Sequence, residues 1–126
     1  MTEFQHQAAL IKWSQQPSIR STHPELALLF HIPNGGARDA VEGRHLKAAG
    51  VKAGVPDLFL PCPRGEYAGL WIELKADNGR LSAEQSWWLE KLAAEGYSAS
   101  VAHGWEAAIR TIEWYLNLGG VQRGRD

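Results

Sequence analysis

The chain is poor in cysteine and methionine, has no excess of positive charge, and contains no long apolar run. Cys62 is the only cysteine in 126 residues. No disulfide can form within the chain, and a zinc site built on cysteine pairs is excluded because it needs several thiolates. Cys62 lies in a Pro61-Cys62-Pro63 loop and is expected to be inert. This cysteine usage suits a reducing compartment. Without an apolar stretch of bilayer length, no membrane-spanning helix is expected. The start, Met1-Thr2-Glu3, lacks the basic and apolar regions of a secretion signal, so the expectation is a cytoplasmic protein of a bacterial or phage-infected cell. With 13 basic and 14 acidic residues the net charge is −1, which rules out bulk attraction to nucleic acid and leaves only local patches to supply it.

A hydrophobic fraction of 44% is ample for a folded core. The length suits one domain, expected over residues 1–118, with a Gly- and Arg-rich tail, 119–126, expected to be disordered. Thr2 to about Gln16 reads as a helix: Thr2 and Gln5 have capping-box spacing, Phe4, Ala8 and Ile11 recur at helical spacing, and Pro17 lies beyond the end. Leu26 to Ile32 reads as a strand running into the turn Asn34-Gly35-Gly36. Glu42 to Ala49 can form a helix ending near Gly50. Asp57 to Leu60 and Leu70 to Lys75 read as strands two and three. Ser82 to about Glu95 is a second capped helix, Tyr97 to Ala102 a fourth strand, and Trp105 to about Leu118 a last helix with Ala108, Ile109, Ile112 and Leu116 on one side. The fold class is therefore α/β: a central mixed four-stranded sheet flanked by helices, in the order α-β-β-β-α-β with an extra C-terminal helix. Strands two and three should form an antiparallel hairpin, and the helical crossover to strand four should make that pair parallel.

The hairpin gives the chemistry its geometry. With the turn centred near Gly65, Asp57 falls opposite Glu73. Opposed residues in an antiparallel pair have Cβ atoms about 4.5–5.5 Å apart. Two carboxylates there repel, unless a divalent cation bridges them and reverses the sign of the interaction. Glu73 and Lys75 are two apart on one strand, so they share Asp57's face while Leu74 points to the apolar side. Hard oxygen ligands for Mg²⁺ beside an ammonium group are what metal-assisted phosphodiester cleavage requires. Lys75 could orient water, neutralise phosphate charge or act as a base; these roles stay open at this level.

The motifs resemble a known family. Pro56-Asp57 followed by Glu73-Leu74-Lys75 resembles the PD-(D/E)xK nuclease superfamily. The wider set resembles its virus-type replication-repair nuclease domain, VRR-NUC. That set comprises a first helix with Glu3 and Gln5, then Asn34-Gly35-Gly36, Gly50-Val51-Lys52-Ala53-Gly54-Val55-Pro56-Asp57, and Leu81-Ser82-Ala83-Glu84-Gln85. It extends from Glu3 to about Ile112. The resemblance implies a restriction-endonuclease-like core and Mg²⁺- or Mn²⁺-dependent cleavage of DNA, often branched or flapped, by homodimers of stand-alone phage or bacterial type suited to four-way (Holliday) junctions and DNA repair. By motif match, Asp57, Glu73, the Leu74 carbonyl and Glu3 become metal ligands, Lys75 the catalytic lysine, and Gln85 a neighbour of the site.

Other residues carry weaker expectations. Asn34 and Gly35, with Gly36, form a turn whose N–H groups could cradle a phosphate. Arg38, Arg44, Lys47 and Lys52 make a local basic segment suited to the DNA backbone, or else a solvated helix face. Gln85 is explained by capping alone as readily as by a place near the scissile phosphate. His31 is expected to be structural, and His103 is given no role. Most of the six tryptophans are expected in the core, with one of Trp87 and Trp88 left for a dimer interface because consecutive helical residues diverge. Two rival functions remain: a junction-binding module without catalysis, and a metal-dependent phosphatase of small molecules. A flap or less selective nuclease is the nearest variant of the main reading.

Overall fold

Helix starts, turn residues and strand pairing build the fold in that order. A computed structural model describes residues 1–33 and 39–119. Thr2 and Gln5 close a reciprocal capping box, Thr2 N–H donating to Gln5 Oε1 at 2.8 Å and Gln5 N–H to Thr2 Oγ1 at 3.1 Å. Helix α1, Glu3–Ser14, follows. Asp39 caps α3, Ala40–Ala48, and Ser82 caps α4, Ala83–Ala94, through a second complete capping box with Gln85. Between the first two of these lie α2, Pro17–Thr22, a 3-10 helix, Pro24–Leu28, and strand β1, Phe30–His31. Strands β2, Leu58–Leu60, and β3, Leu70–Lys75, precede α4; β4, Ser98–His103, and α5, Trp105–Leu116, follow it.

The sheet order is β1-β2-β3-β4, antiparallel for the first two pairings and parallel for the third, so the expected hairpin and crossover are both present. Leu60 faces Leu70 and Leu58 faces Ile72. One more step in that register sets Asp57 against Glu73, the pairing expected from a turn near Gly65.

One face of the sheet is sealed. Leu58, Leu60, Leu70, Ile72, Leu74 and Ala102 are buried there with Leu10 of α1 and Ala108, Ile112, Tyr115 and Leu116 of α5. On the other face, Phe59 stacks on Trp71 with ring centroids 4.2 Å apart and Tyr97 meets both edge-on. Helix α4 crosses this side without burying any residue fully.

Several expectations are corrected. The apolar run Leu26–Ile32 is not one strand: Leu26 to Leu28 belong to a 3-10 helix, and only Phe30 and His31 pair as strand. Pro24 opens that helix, and Leu26-Ala27-Leu28-Leu29 lacks the β-branched residues that favour strand. Pro17 ends α1 but also starts α2, because its fixed φ suits a first helical position. On α1 the buried residues are His6, Leu10 and Ser14, whereas Phe4 is 76% exposed. The period is as expected but its phase is set by the sheet and α5, not by the apolar residues. None of the six tryptophans is fully buried; Trp13 and Trp105 lean on the core, and Trp87 and Trp114 are about half exposed. Trp87 and Trp88, expected to diverge, instead meet edge-on with ring centroids 5.4 Å apart, and Trp88 Nε1–H donates to Ala53 O at 3.1 Å. No described helix is long and apolar enough to cross a membrane. Asn34, Gly35, Gly36, Arg38 and the expected tail from 120 onward lie outside the described residues.

Helix α5 has no side chain at its own N-cap, Gly104. Its first N–H, from Trp105, donates instead to Nδ1 of buried His6 at 3.1 Å, stapling α1 to α5. His6→Ala is expected to destabilise the domain by about 1–3 kcal/mol, the cost of an unpaired buried donor. His6→Asn, which keeps an acceptor near the Nδ1 position, is expected to cost less. Urea unfolding of the variants beside the native chain measures both.

Candidate active site

Strand register, a helix cap and the end of the sheet bring the expected residues together. Glu3, Phe4 and Gln7 of α1, Asp57, Glu73 and Leu74 of the sheet, and Gln85 of α4 line one cleft with His31 and Pro33. Its volume is about 310 Å³.

Asp57 is fixed from two sides. Its carboxylate Oδ2 accepts the Leu74 N–H of β3 at 2.8 Å. Its carbonyl lies 2.8 Å from the Ile32 N–H and 2.8 Å from His31 Nδ1, which is therefore the protonated nitrogen. His31 thus has the structural role expected of it, and it also forms part of the cleft wall. Its place follows from the β1–β2 register, which a short strand hidden in an apolar run does not reveal.

Glu73 is 2% exposed. Its Oε2 accepts Gln85 Nε2–H at 3.2 Å and lies 3.7 Å from Lys75 Nζ. Lys75 is itself buried, with its ammonium beside Glu73 at the cleft. Gln85 serves both readings at once: Oε1 accepts the Ser82 N–H at 2.9 Å, which leaves Nε2 for Glu73.

The other Glu73 oxygen, Oε1, is buried with no donor. Burial, then the negative charge of Asp57, then a hydrogen bond with Asp57 push the Glu73 carboxyl up to about 8; Lys75 opposes this and Glu3 adds to it. Two ionised carboxylates cannot hydrogen-bond each other, so the bond with Asp57 exists only when the pair holds a proton. Ionised, the pair leaves Oε1 orphaned. A divalent cation would satisfy that oxygen and remove the repulsion. The donors available are hard carboxylate oxygens, which suit Mg²⁺ or Mn²⁺. Among the described residues no three His, Cys, Asp or Glu side chains stand close enough to hold an ion unaided. Backbone oxygen, such as the Leu74 carbonyl, and water would have to complete the shell.

Of the basic segment, the described residues Arg44, Lys47 and Lys52 do not line the cleft. Arg44 and Lys47 are exposed on α3, and Lys52 borders a separate apolar groove of about 690 Å³ that shares Pro33 with the cleft. His6 and His103, which sequence reasoning left without a role, both stand at the junction of β4 and α5; only long-range pairing reveals them.

Residues 1–106 match the model of the VRR-NUC domain family. A solved structure named as a VRR_NUC domain protein is 36% identical and superposes with a TM-score of 0.82, over 95% of this chain and 92% of that one. Among curated proteins, none matches.

With the raised Glu73 carboxyl, the ion-free folded chain holds a proton between pH 4.5 and about 8 that the unfolded chain has released. Stability is therefore expected to fall as pH rises through that window. Glu73→Gln is expected to flatten this slope and to melt higher than the native chain at pH 8, as followed by thermal unfolding in EDTA across pH.

Proposed function

The chain belongs to the VRR-NUC domain family, which makes it a DNA nuclease module, and on that premise we propose that it is a Mg²⁺- or Mn²⁺-dependent, structure-selective endonuclease acting on branched DNA such as four-way junctions. The observation that carries this reading is the Glu73 carboxylate, buried between Asp57 and Lys75 with one oxygen unpartnered. A purely DNA-binding module gains nothing from burying opposed carboxylates, whereas a cation site does.

In this reading residues 1–118 are the working unit. Asp57 and Glu73 would hold the cation with the Leu74 carbonyl, and Glu3, on the cleft wall in the first turn of α1, would act on it through bound water. A cation held there would supply a more acidic water and an electrophile for the phosphate oxygens. Asp57 stays oriented because both its carbonyl and its carboxylate are hydrogen-bonded. Gln85 keeps Glu73 Oε2 turned toward Lys75. The Lys75 ammonium neutralises charge gathering on the phosphate, the kind of fixed electrostatic support that speeds such reactions most.

DNA would lie along the cleft with its backbone held by Arg44, Lys47 and Lys52, together with Asn34, Gly35 and Arg38. The chain offers no obvious element for reading base edges, so shape supplies the selectivity. The half-exposed Trp87 suits an interface between two copies, which would set two cleavage sites on one junction.

Labelled four-way, flap and linear duplexes incubated with Mg²⁺, Mn²⁺ or EDTA test the proposal. The native chain should cut the four-way junction best, only with metal. Asp57→Ala and Lys75→Ala should each lower the cleavage rate by at least about 100-fold, as expected for groups acting in the transition state. Binding without cutting by a folded native chain would favour the non-catalytic module instead.

A further inference from the structure

We infer that the turn His103-Gly104-Trp105 is a positioning device for Lys75, with His103 as its working side chain; the inference deepens the nuclease reading and rests on it. Three consecutive residues each make one long-range hydrogen bond. Nε2 of His103 bonds the carbonyl of Gly79 at 3.0 Å. The Gly104 N–H donates to the carbonyl of Lys75 at 2.8 Å. The Trp105 N–H donates to His6 Nδ1 at 3.1 Å.

Each bond constrains the lysine differently. His103 pairs with Lys75 across the parallel β3–β4 ladder, so it sits directly beside it. The carbonyl it holds belongs to a tight turn closed by Gly79 N–H to Ala76 O at 2.9 Å. That turn lies on the lysine stem: a Cβ added to Gly79 would stand 3.1 Å from Lys75 Cβ and 3.2 Å from its Cδ. Gly104 clasps the Lys75 main chain from a φ of +92°, a conformation that favours glycine, while the chain turns from β4 into α5. His6 anchors the same turn to α1, the helix that carries Glu3.

A lysine side chain is long and has many rotamers, and an ammonium is useful only where the charge develops. Clamping the backbone and covering the stem leaves the ammonium end to find Glu73 Oε2 at 3.7 Å. His103 itself is exposed, so its bond to Gly79 adds little to the core. Its effect falls on the lysine beneath the turn. The Gly79 carbonyl accepts, so Nε2 carries the proton; the amide of a glutamine can place a donor in the same position.

The test is single-turnover cleavage of the best-cut DNA in Mg²⁺, with DNA affinity measured in EDTA and melting temperature recorded. Cleavage by the native chain, abolished in Lys75→Ala, is the control that fails first if the nuclease reading is wrong. His103→Ala should cut about tenfold more slowly, as a small misplacement of a reacting group does. Its DNA affinity and melting temperature should stay unchanged, and His103→Gln should recover most of the rate. A native rate in His103→Ala, equal losses in both variants, or a loss matched by weaker DNA binding would each overturn the inference. If His103→Ala does not fold, Gly79→Ala decides: it keeps His103 but pushes the turn off the stem, and an undiminished rate there overturns the inference too.

Discussion

Two carboxylates facing each other across adjacent strands repel, and the architecture around them serves to hold them in place regardless. The β2–β3 register sets Asp57 opposite Glu73. The sealed hydrophobic face behind Ile72 and Leu74 keeps that register from slipping, because a shift by one residue would turn the leucines outward. The Leu74 N–H, the His31 ring and the Gln85 amide then fix each acid in a chosen direction. The repulsion is retained rather than relieved, and it adds to burial, the larger cause, in raising Glu73 above an ordinary carboxylate in the ion-free chain. The carboxylate pair is preorganised by hydrophobic packing on the far side of the same strands.

Charge is handled locally throughout. A chain with a net charge of −1 would be repelled weakly by DNA as a whole. Arg44, Lys47 and Lys75 show two different uses of a cation. Arg44 and Lys47 stand in solvent on α3, where they can meet a backbone, while Lys75 is drawn into the interior and spends its charge on Glu73. The surface cations are loosely held and exchangeable in function. The buried one is constrained at its main chain, its stem and its tip.

Much of this was legible in residue order. Capping boxes at Thr2 and Ser82 located two helices, and counting outward from Gly65 found the register that pairs Asp57 with Glu73. Both signals are local, so the neighbouring residues decide them. The misreadings came where tertiary context decides. Leu26–Ile32 is apolar enough for a strand, yet Pro24 opens a 3-10 helix that takes in the start of the run, to Leu28. The buried face of α1 runs through His6, Leu10 and Ser14 because that side meets the sheet and α5, while Phe4 is left on the cleft rim. His103 carried no local pattern at all; its bond partner lies 24 residues away in the chain.

The Gln85 side chain ties the helix to the site in a way that restricts how the position can drift. A capping box accepts either Gln or Glu at this place. Here the amide oxygen is committed to Ser82 and the amide nitrogen to Glu73, so the two ends cannot be exchanged. An acid at 85 would still start the helix, but it would add a further carboxylate to a cleft already lined by Glu3, Asp57 and Glu73. Secondary-structure chemistry therefore leaves open a change that the electrostatics of the cleft closes. Slow chemical ageing makes the same change without any mutation: deamidation of Gln85 would leave a protein of native helix content and damaged chemistry, a loss that spectroscopy of the fold alone would not register.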